Sequence, residues 1–180
     1  MVVDKMAERI IEIPPEVDVE ISGRTVKMKG PRGTLTENLS HLPINLVLQD
    51  KMLTVEVAWP RKREYAMVGT AAAQLRNMIR GVTKGFTYKL KLVHSHFPIN
   101  VKVKEDKKIL LIENFTGEKS PRTVKLVGNV SVKVAQDDII VEGTRLSDVS
   151  QTAANIEYST KIRDKDQRVF LDGIYIFEKA

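Results

Sequence analysis

The chain carries one pattern twice. Pro14 of Ile13-Pro14 and Pro98 of Phe97-Pro98 stand 84 residues apart. At that same offset Val17-Asp18-Val19-Glu20-Ile21 meets Val101-Lys102-Val103-Lys104-Glu105, and Gly33 meets Gly117. Leu53-Thr54-Val55-Glu56 meets Ile139-Ile140-Val141-Glu142 at an offset of 86. Gly69-Thr70-Ala71-Ala72-Ala73-Gln74-Leu75 runs with Gln151-Thr152-Ala153-Ala154-Asn155-Ile156 at an offset near 82. Order is kept while the offset drifts slightly, as duplicated modules with small loop changes would show. Two copies are too few for a solenoid, so the expectation is two tandem domains, 1–94 and 95–180, with the boundary near His94–Pro98.

Each copy reads as strands, one helix and a last strand. Val17 to Ile21 and Thr25 to Lys29 alternate apolar and polar residues around the turn Ser22-Gly23-Arg24, the period-2 mark of half-buried strands. Gly30-Pro31-Arg32-Gly33 is a turn, and alternation resumes over Thr34 to Leu39. Gln49-Asp50-Lys51 and Gln136-Asp137-Asp138 each separate two apolar runs and predict hairpins. Tyr65, Val68, Ala72, Leu75 and Ile79 recur three or four apart and predict a helix stopping at Gly81. A second helix is expected from Ser147 as N-cap, with Val149, Ala153 and Ile156 on its apolar side. Phe86 to Val93 closes the first copy and Phe170 to Phe177 the second. The fold class is therefore α+β: two tandem repeats of one module, each an antiparallel β-sheet packed against one main helix.

Hydrophobic residues make up 42% of the chain, enough for packed cores, so a disordered chain is excluded. No cysteine is present, which removes disulfides, thiolate metal sites and a thiol nucleophile, and agrees with a reducing intracellular compartment. No stretch has the length and apolarity of a bilayer span, and Asp4, Lys5, Glu8 and Arg9 do not suit a secretory signal. The expectation is a cytoplasmic protein with no membrane partner. The net charge of +6 is unevenly placed. Arg61, Lys62, Arg63, Arg76, Arg80, Lys84, Lys89 and Lys91 face Glu64 alone across 61–91, and Lys119, Arg122, Lys125 and Lys133 meet no acid across 119–136. Clustered cations displace counterions from a nucleic-acid backbone, so RNA or DNA is the first partner class to consider.

Catalytic and metal readings find little support. His94-Ser95-His96 puts two imidazoles on one strand face, half of a zinc set, but His41 is the only other histidine. A polar corner between the domains is the better reading. Asp137-Asp138 falls at a hairpin tip, where paired carboxylates do not converge on a pocket. Trp59, ahead of Pro60, is expected as a structural anchor. No nucleophile elbow, phosphate loop or dinucleotide fingerprint occurs. No enzyme activity, cofactor, metal or small-molecule substrate is expected.

The C-terminal segment carries the sharpest signal. Lys161-Ile162-Arg163-Asp164-Lys165-Asp166-Gln167-Arg168 mixes cations and acids between a helix and a strand. Such a loop can follow a phosphate backbone, and the same charges also suit a solvated loop. Taken with Ile13-Pro14, Gly30-Pro31-Arg32-Gly33, Tyr65-Ala66-Met67-Val68-Gly69-Thr70 and His94-Ser95-His96-Phe97-Pro98, the run Gln151 to Lys161 and the run Arg168-Val169-Phe170-Leu171-Asp172-Gly173-Ile174-Tyr175-Ile176 resemble the family of the sixth protein of the large ribosomal subunit. The Arg-Asp-Lys-Asp-Gln-Arg form of the loop, in place of a Lys/Gly-rich one, resembles the archaeal and eukaryotic branch.

That resemblance implies two similar α+β domains and a non-enzymatic protein of the large subunit that supports translation. It implies large-subunit rRNA as partner, bound mainly by the second domain near the rRNA 3′ end. It also places the protein close to the sarcin–ricin loop and stalk base, with neighbouring ribosomal proteins and translation factors nearby. The rRNA-binding residues it implies are Lys161, Arg163, Lys165, Arg168 and Lys179. His94, Ser95 and His96 are the expected junction contacts, and Arg122 and Lys125 join them. The alternative is a stand-alone tandem-domain RNA-binding or RNA-processing protein. A single-strand binder would expose stacking aromatics, yet Phe, Trp and Tyr are only 6% of the chain and fall mostly in core phase.

Overall fold

The computed structural model describes residues 6–163, 165–166 and 168–180. Asp4 and Lys5 of the N-terminal charge pattern, and Asp164 and Gln167 of the C-terminal loop, lie outside the described residues. The chain forms two compact units, Met1–Gly85 and Phe86–Ala180.

The first unit runs β1 (Met6–Glu12), β2 (Asp18–Ser22), β3 (Thr25–Gly30), β4 (Gly33–Asn38), β5 (Asn45–Gln49), β6 (Met52–Ala58) and α1 (Lys62–Thr83). Its strands make two antiparallel sheets, β1-β6-β5 and β2-β3-β4. Alternation is read out directly: Val26 and Met28 of β3, and Leu53 and Val55 of β6, are fully buried. The predicted β5–β6 hairpin turns on Asp50 and Lys51, both at positive φ (41° and 68°), the conformation that matches strand twist in a two-residue hairpin. Helix α1 covers both sheets with Val68, Ala71, Ala72, Leu75, Met78, Ile79 and Val82. Truncating Leu75 to Ala would leave a cavity costing about 2–5 kcal/mol.

The second unit runs β7 (Phe86–Val93), β8 (Asn100–Lys104), β9 (Ile109–Glu113), β10 (Arg122–Lys125), β11 (Val130–Ala135), β12 (Asp138–Gly143), α2 (Leu146–Ser159) and β13 (Gly173–Lys179). Its sheets are β11-β12-β7-β13 and β10-β9-β8. Val149, Thr152, Ala153 and Ile156 of α2 bury against Phe86, Leu90, Leu110, Ile139, Val141 and Ile174.

Several expectations are corrected here. Phe86–Val93 does not close the first unit: β7 pairs with β12 on one side and β13 on the other, so the division falls after Gly85, ahead of position 94. Its counterpart in the first unit is β1, which alternation beginning at Val17 missed. The proof is a repeated hydrogen bond: Ile13 N–H donates to the Lys51 carbonyl as Leu92 N–H donates to that of Asp137. Gly81 does not stop α1 but lies buried inside it; the helix runs to Thr83 and the chain turns at Gly85, φ 76°. Here Gly30-Pro31-Arg32-Gly33 finds its purpose. The Arg32 backbone N–H donates to Val82 O and its guanidinium to Lys84 O, satisfying carbonyls at the helix end. A Cβ on Gly30 would press into Val82, so only glycine admits this approach. The N-cap of α2 is Arg145, not Ser147. Tyr65 is exposed and takes Arg9 against its ring rather than joining the core. Trp59, 68% exposed, is no buried anchor.

Candidate nucleic-acid interface

The second unit brings Arg122, Lys161, Arg163 and Lys165 together around the end of α2. Thr160 is buried, and its hydroxyl accepts the Ile174 N–H (3.0 Å), tying the helix end to β13. Ile162 is also buried, so Lys161 and Arg163 on either side are held outward. The Arg163 guanidinium lies 5.8 Å from the Tyr158 ring centre, and the Lys165 ammonium lies 4.6 Å from that of Phe170. Rings in these positions hold a cation without consuming its N–H donors in a strong ion pair. Further along, the Asp166 carboxylate accepts the backbone N–H of Arg168 (2.9 Å) and its Nε (3.3 Å), while the Asp166 carbonyl accepts from Val169 and Phe170. That turn presents Arg168 with its side chain 91% exposed. Arg168 is thus paired with Asp166 while its side chain stays open to solvent; Asp164 lies outside the described residues.

Lys161, Arg163 and Lys165 line one open hollow of about 430 Å³, together with Glu118 and Arg122. Arg122 differs in kind from the other predicted site residues. It is bidentate to Glu118, donates through Nη1 to the Ser159 carbonyl, and lies 4.3 Å from the Phe115 ring centre. It is a clamp between β10 and the end of α2, and its guanidinium is largely committed. The Arg122 hydrogen bond holds the Glu118 carboxyl below its ordinary value despite burial, and the charges of Arg122 and Lys165 add to this. Among the described residues of the hollow, Glu118 is the one acid; it stays ionised and balanced by Arg122, while Lys161, Arg163 and Lys165 are exposed.

The His94-Ser95-His96 segment is fixed from inside. Asp172, 2% exposed, accepts the backbone N–H of Ser95 (2.7 Å) and of His96 (3.1 Å) through Oδ1, and contacts His96 Nδ1 (2.6 Å) through Oδ2. Burial by itself would raise its pKa, but the imidazole hydrogen bond and the two backbone donors prevail and hold it at about 2. An ionised Asp172 requires the proton on His96 Nδ1 and leaves Nε2 for a further partner. The His96 ring stacks on Phe170, centroids 4.5 Å apart, and Phe170 carries Lys165. His96, Phe170 and Lys165 are thus one connected group, with Ser95 held beside it.

Not every predicted residue joins. Lys125 is exposed on β10, and Lys179 lies 5.9 Å from the Tyr88 ring centre on β13; neither lines the hollow. His94 is exposed with no described link to it. Among the described residues no group of three or more His, Asp or Glu side chains gathers as a metal cage, and no helix is long and apolar enough to cross a membrane. Sequence reasoning missed Glu118, Tyr158, Phe170 and Asp172. A lone acid between Leu171 and Gly173, followed by a strand, was the available signal for Asp172.

Comparison with known proteins bears on what this surface meets. The family model described as Ribosomal protein L6 matches twice, over residues 13–85 and 97–173. The large ribosomal subunit protein uL6 of Desulfurococcus amylolyticus is 49% identical over 176 residues, 97% of this chain and 95% of that protein. Those of Methanothrix thermoacetophila (47%; 95% of this chain, 96% of that protein) and Methanobrevibacter smithii (42%; 99% of each) are similar over comparable spans.

Proposed function

The chain belongs to the ribosomal protein L6 family, and on that premise we propose that it binds large-subunit rRNA chiefly through the hollow at the end of α2. Its relatives are named as large ribosomal subunit proteins, so the chain is a constituent of that subunit, at work in the cytoplasm. The observation that carries the rRNA reading is the convergence of Lys161, Arg163 and Lys165 on one hollow, with Arg168 displayed beside it. An RNA duplex offers phosphates and 2′-hydroxyls across a shallow minor groove. Cations held by rings and a short turn can meet successive phosphates without ordering long side chains from scratch, while His96 Nε2 and Ser95 are placed to reach hydroxyls. Lys125, Lys179 and His94 are outlying contacts, and Arg122 supports the surface more than it touches RNA.

The family resemblance along the whole chain supports a position near the rRNA 3′ end, close to the sarcin–ricin loop and stalk base, with translation factors and other ribosomal proteins as neighbours. Catalysis forms no part of this reading. The test is sedimentation of the native protein with chemical footprinting of the rRNA. The protein is expected to sediment with the large subunit and to shield a duplex near the 3′ end. A protein that sediments unbound, or a footprint that persists when Lys161, Arg163 and Lys165 are all changed to Gln, overturns it.

A further inference from the structure

The two repeats differ at one sheet edge, and we propose that the edge of β1 is a docking site for an extended acidic peptide segment of a partner protein, bound as an added strand. In the second unit β7 is covered by β13. In the first unit its counterpart β1 is the outermost strand of β1-β6-β5, and among the described residues nothing pairs with its far side. The correspondence fixes the alignment: Ile11 faces Leu53 as Leu90 faces Ile139, and Arg9 faces Val55 as Tyr88 faces Val141.

The backbone is set for pairing. Because Ile13 N–H points to β6, antiparallel alternation sends the N–H and C=O groups of Glu8, Ile10 and Glu12 the other way. Thr87, the counterpart of Glu8, uses its two groups in this way, exchanging hydrogen bonds with Ala180 (3.0 and 2.9 Å). Beside the edge lies an open hollow of about 580 Å³ formed by Ile10, Ile11, Ile79, Arg76, Arg80 and Lys84 with Glu12 and Thr83. Ile10 is 54% exposed, unusual for an isoleucine on a strand edge with no cover. In the second unit the comparable volume receives β13, whose Ile174 is fully buried.

Charge selects the occupant. Arg76, Arg80 and Lys84 recur every four residues, so they line one side of α1 along the hollow. At the helical position where the first unit has Arg76, aligned by the burial pattern of the two helices, the second has Glu157, which accepts the Ile176 N–H of its own strand. A strand entering beside α1 therefore meets cations rather than an acceptor, and its side chains toward the helix should be carboxylates alternating with apolar residues. Strand addition of this kind draws affinity from main-chain hydrogen bonds and selectivity from alternate side chains. This surface is independent of the rRNA reading of the second unit.

The test uses the full chain and an acetylated octapeptide alternating valine and glutamate, followed by amide hydrogen exchange. Slowed exchange at Glu8, Ile10 and Glu12 is expected. Ile10→Pro removes the central outward donor without touching a bond to β6, and should weaken binding by about tenfold with the melting temperature retained. Arg76→Gln with Lys84→Gln should weaken it similarly while leaving β1 intact, which keeps the proposal testable if the proline variant unfolds. Absence of protection at β1, equal binding of a valine–lysine peptide, or protection by a short RNA duplex and not by the peptide overturns it.

Discussion

Asp172→Asn removes one charge from the clamp that holds Ser95 and His96 and changes almost nothing in shape. The carboxyl sits at about 2 in the native protein against an ordinary value of 3.8. At about 1.4 kcal/mol per pH unit, that difference stabilises the folded second unit by about 2.5 kcal/mol at neutral pH. The sign follows from the depressed value: the contribution is complete above the unfolded value near 4 and is lost as pH falls through about 2. At pH 3 about half of it remains. The amide oxygen can still accept the Ser95 and His96 backbone N–H groups, while the NH2 cannot accept the His96 Nδ1 proton, so the substitution reports the charge together with the imidazole hydrogen bond it sustains. For a unit of this size about 2.5 kcal/mol corresponds to a drop of about 10–20 °C in its own melting transition. Urea unfolding followed by circular dichroism at pH 7 and pH 3 should therefore show a wild-type advantage that halves at the lower pH. An advantage that is equal at both pH values, or below about 0.5 kcal/mol at pH 7, refutes the reasoning, the latter being what an ordinary surface change costs.

Arg122→Ala breaks three hydrogen bonds, two of them to Glu118, and should cost about 1.5–3 kcal/mol in chemical denaturation, with the Glu118 carboxyl moving back toward its ordinary value in an NMR titration. Lys125→Gln, at an exposed position on the neighbouring sheet, should stay within about 0.5 kcal/mol of wild type in the same assay. A fragment of residues 86–180 should unfold cooperatively, whereas 95–180 should not, because the shorter piece lacks β7 and with it the buried Phe86, Leu90 and Leu92.

Strand alternation and the helical stripe made most of the architecture legible in the sequence. They find β2 to β6, both hairpins and both helices, because one buried face writes a period into the residues. They fail where the chain departs from that rule. In β1 only Ala7 and Ile11 are buried while Ile10 is exposed, so apolarity and burial fall out of phase. The strand β7 follows α1 in sequence yet pairs only with strands of the second unit, and pairing across such distances leaves no local mark. Gly81 looks like a helix stop, but the stop needs a positive φ, which Gly85 supplies. In the site, charge pattern found the solvent-facing cations of the C-terminal loop. It could not separate Arg122 from them, because what commits Arg122 is a carbonyl at Ser159 and a ring at Phe115, both brought near by the fold. Nor could it show that Asp172 holds the histidine segment 76 residues away.

The central claim, that rRNA is gripped by the cations at the end of α2, is tested most directly by the salt dependence of binding. Arg163→Gln combined with Arg168→Gln should weaken the affinity of the full chain for large-subunit rRNA. It should also reduce the slope of log affinity against log salt by about one for each phosphate left without its cation, with stability kept within about 0.5 kcal/mol per site. Unchanged affinity with an unchanged slope would show these side chains to be merely solvated and would contradict the account.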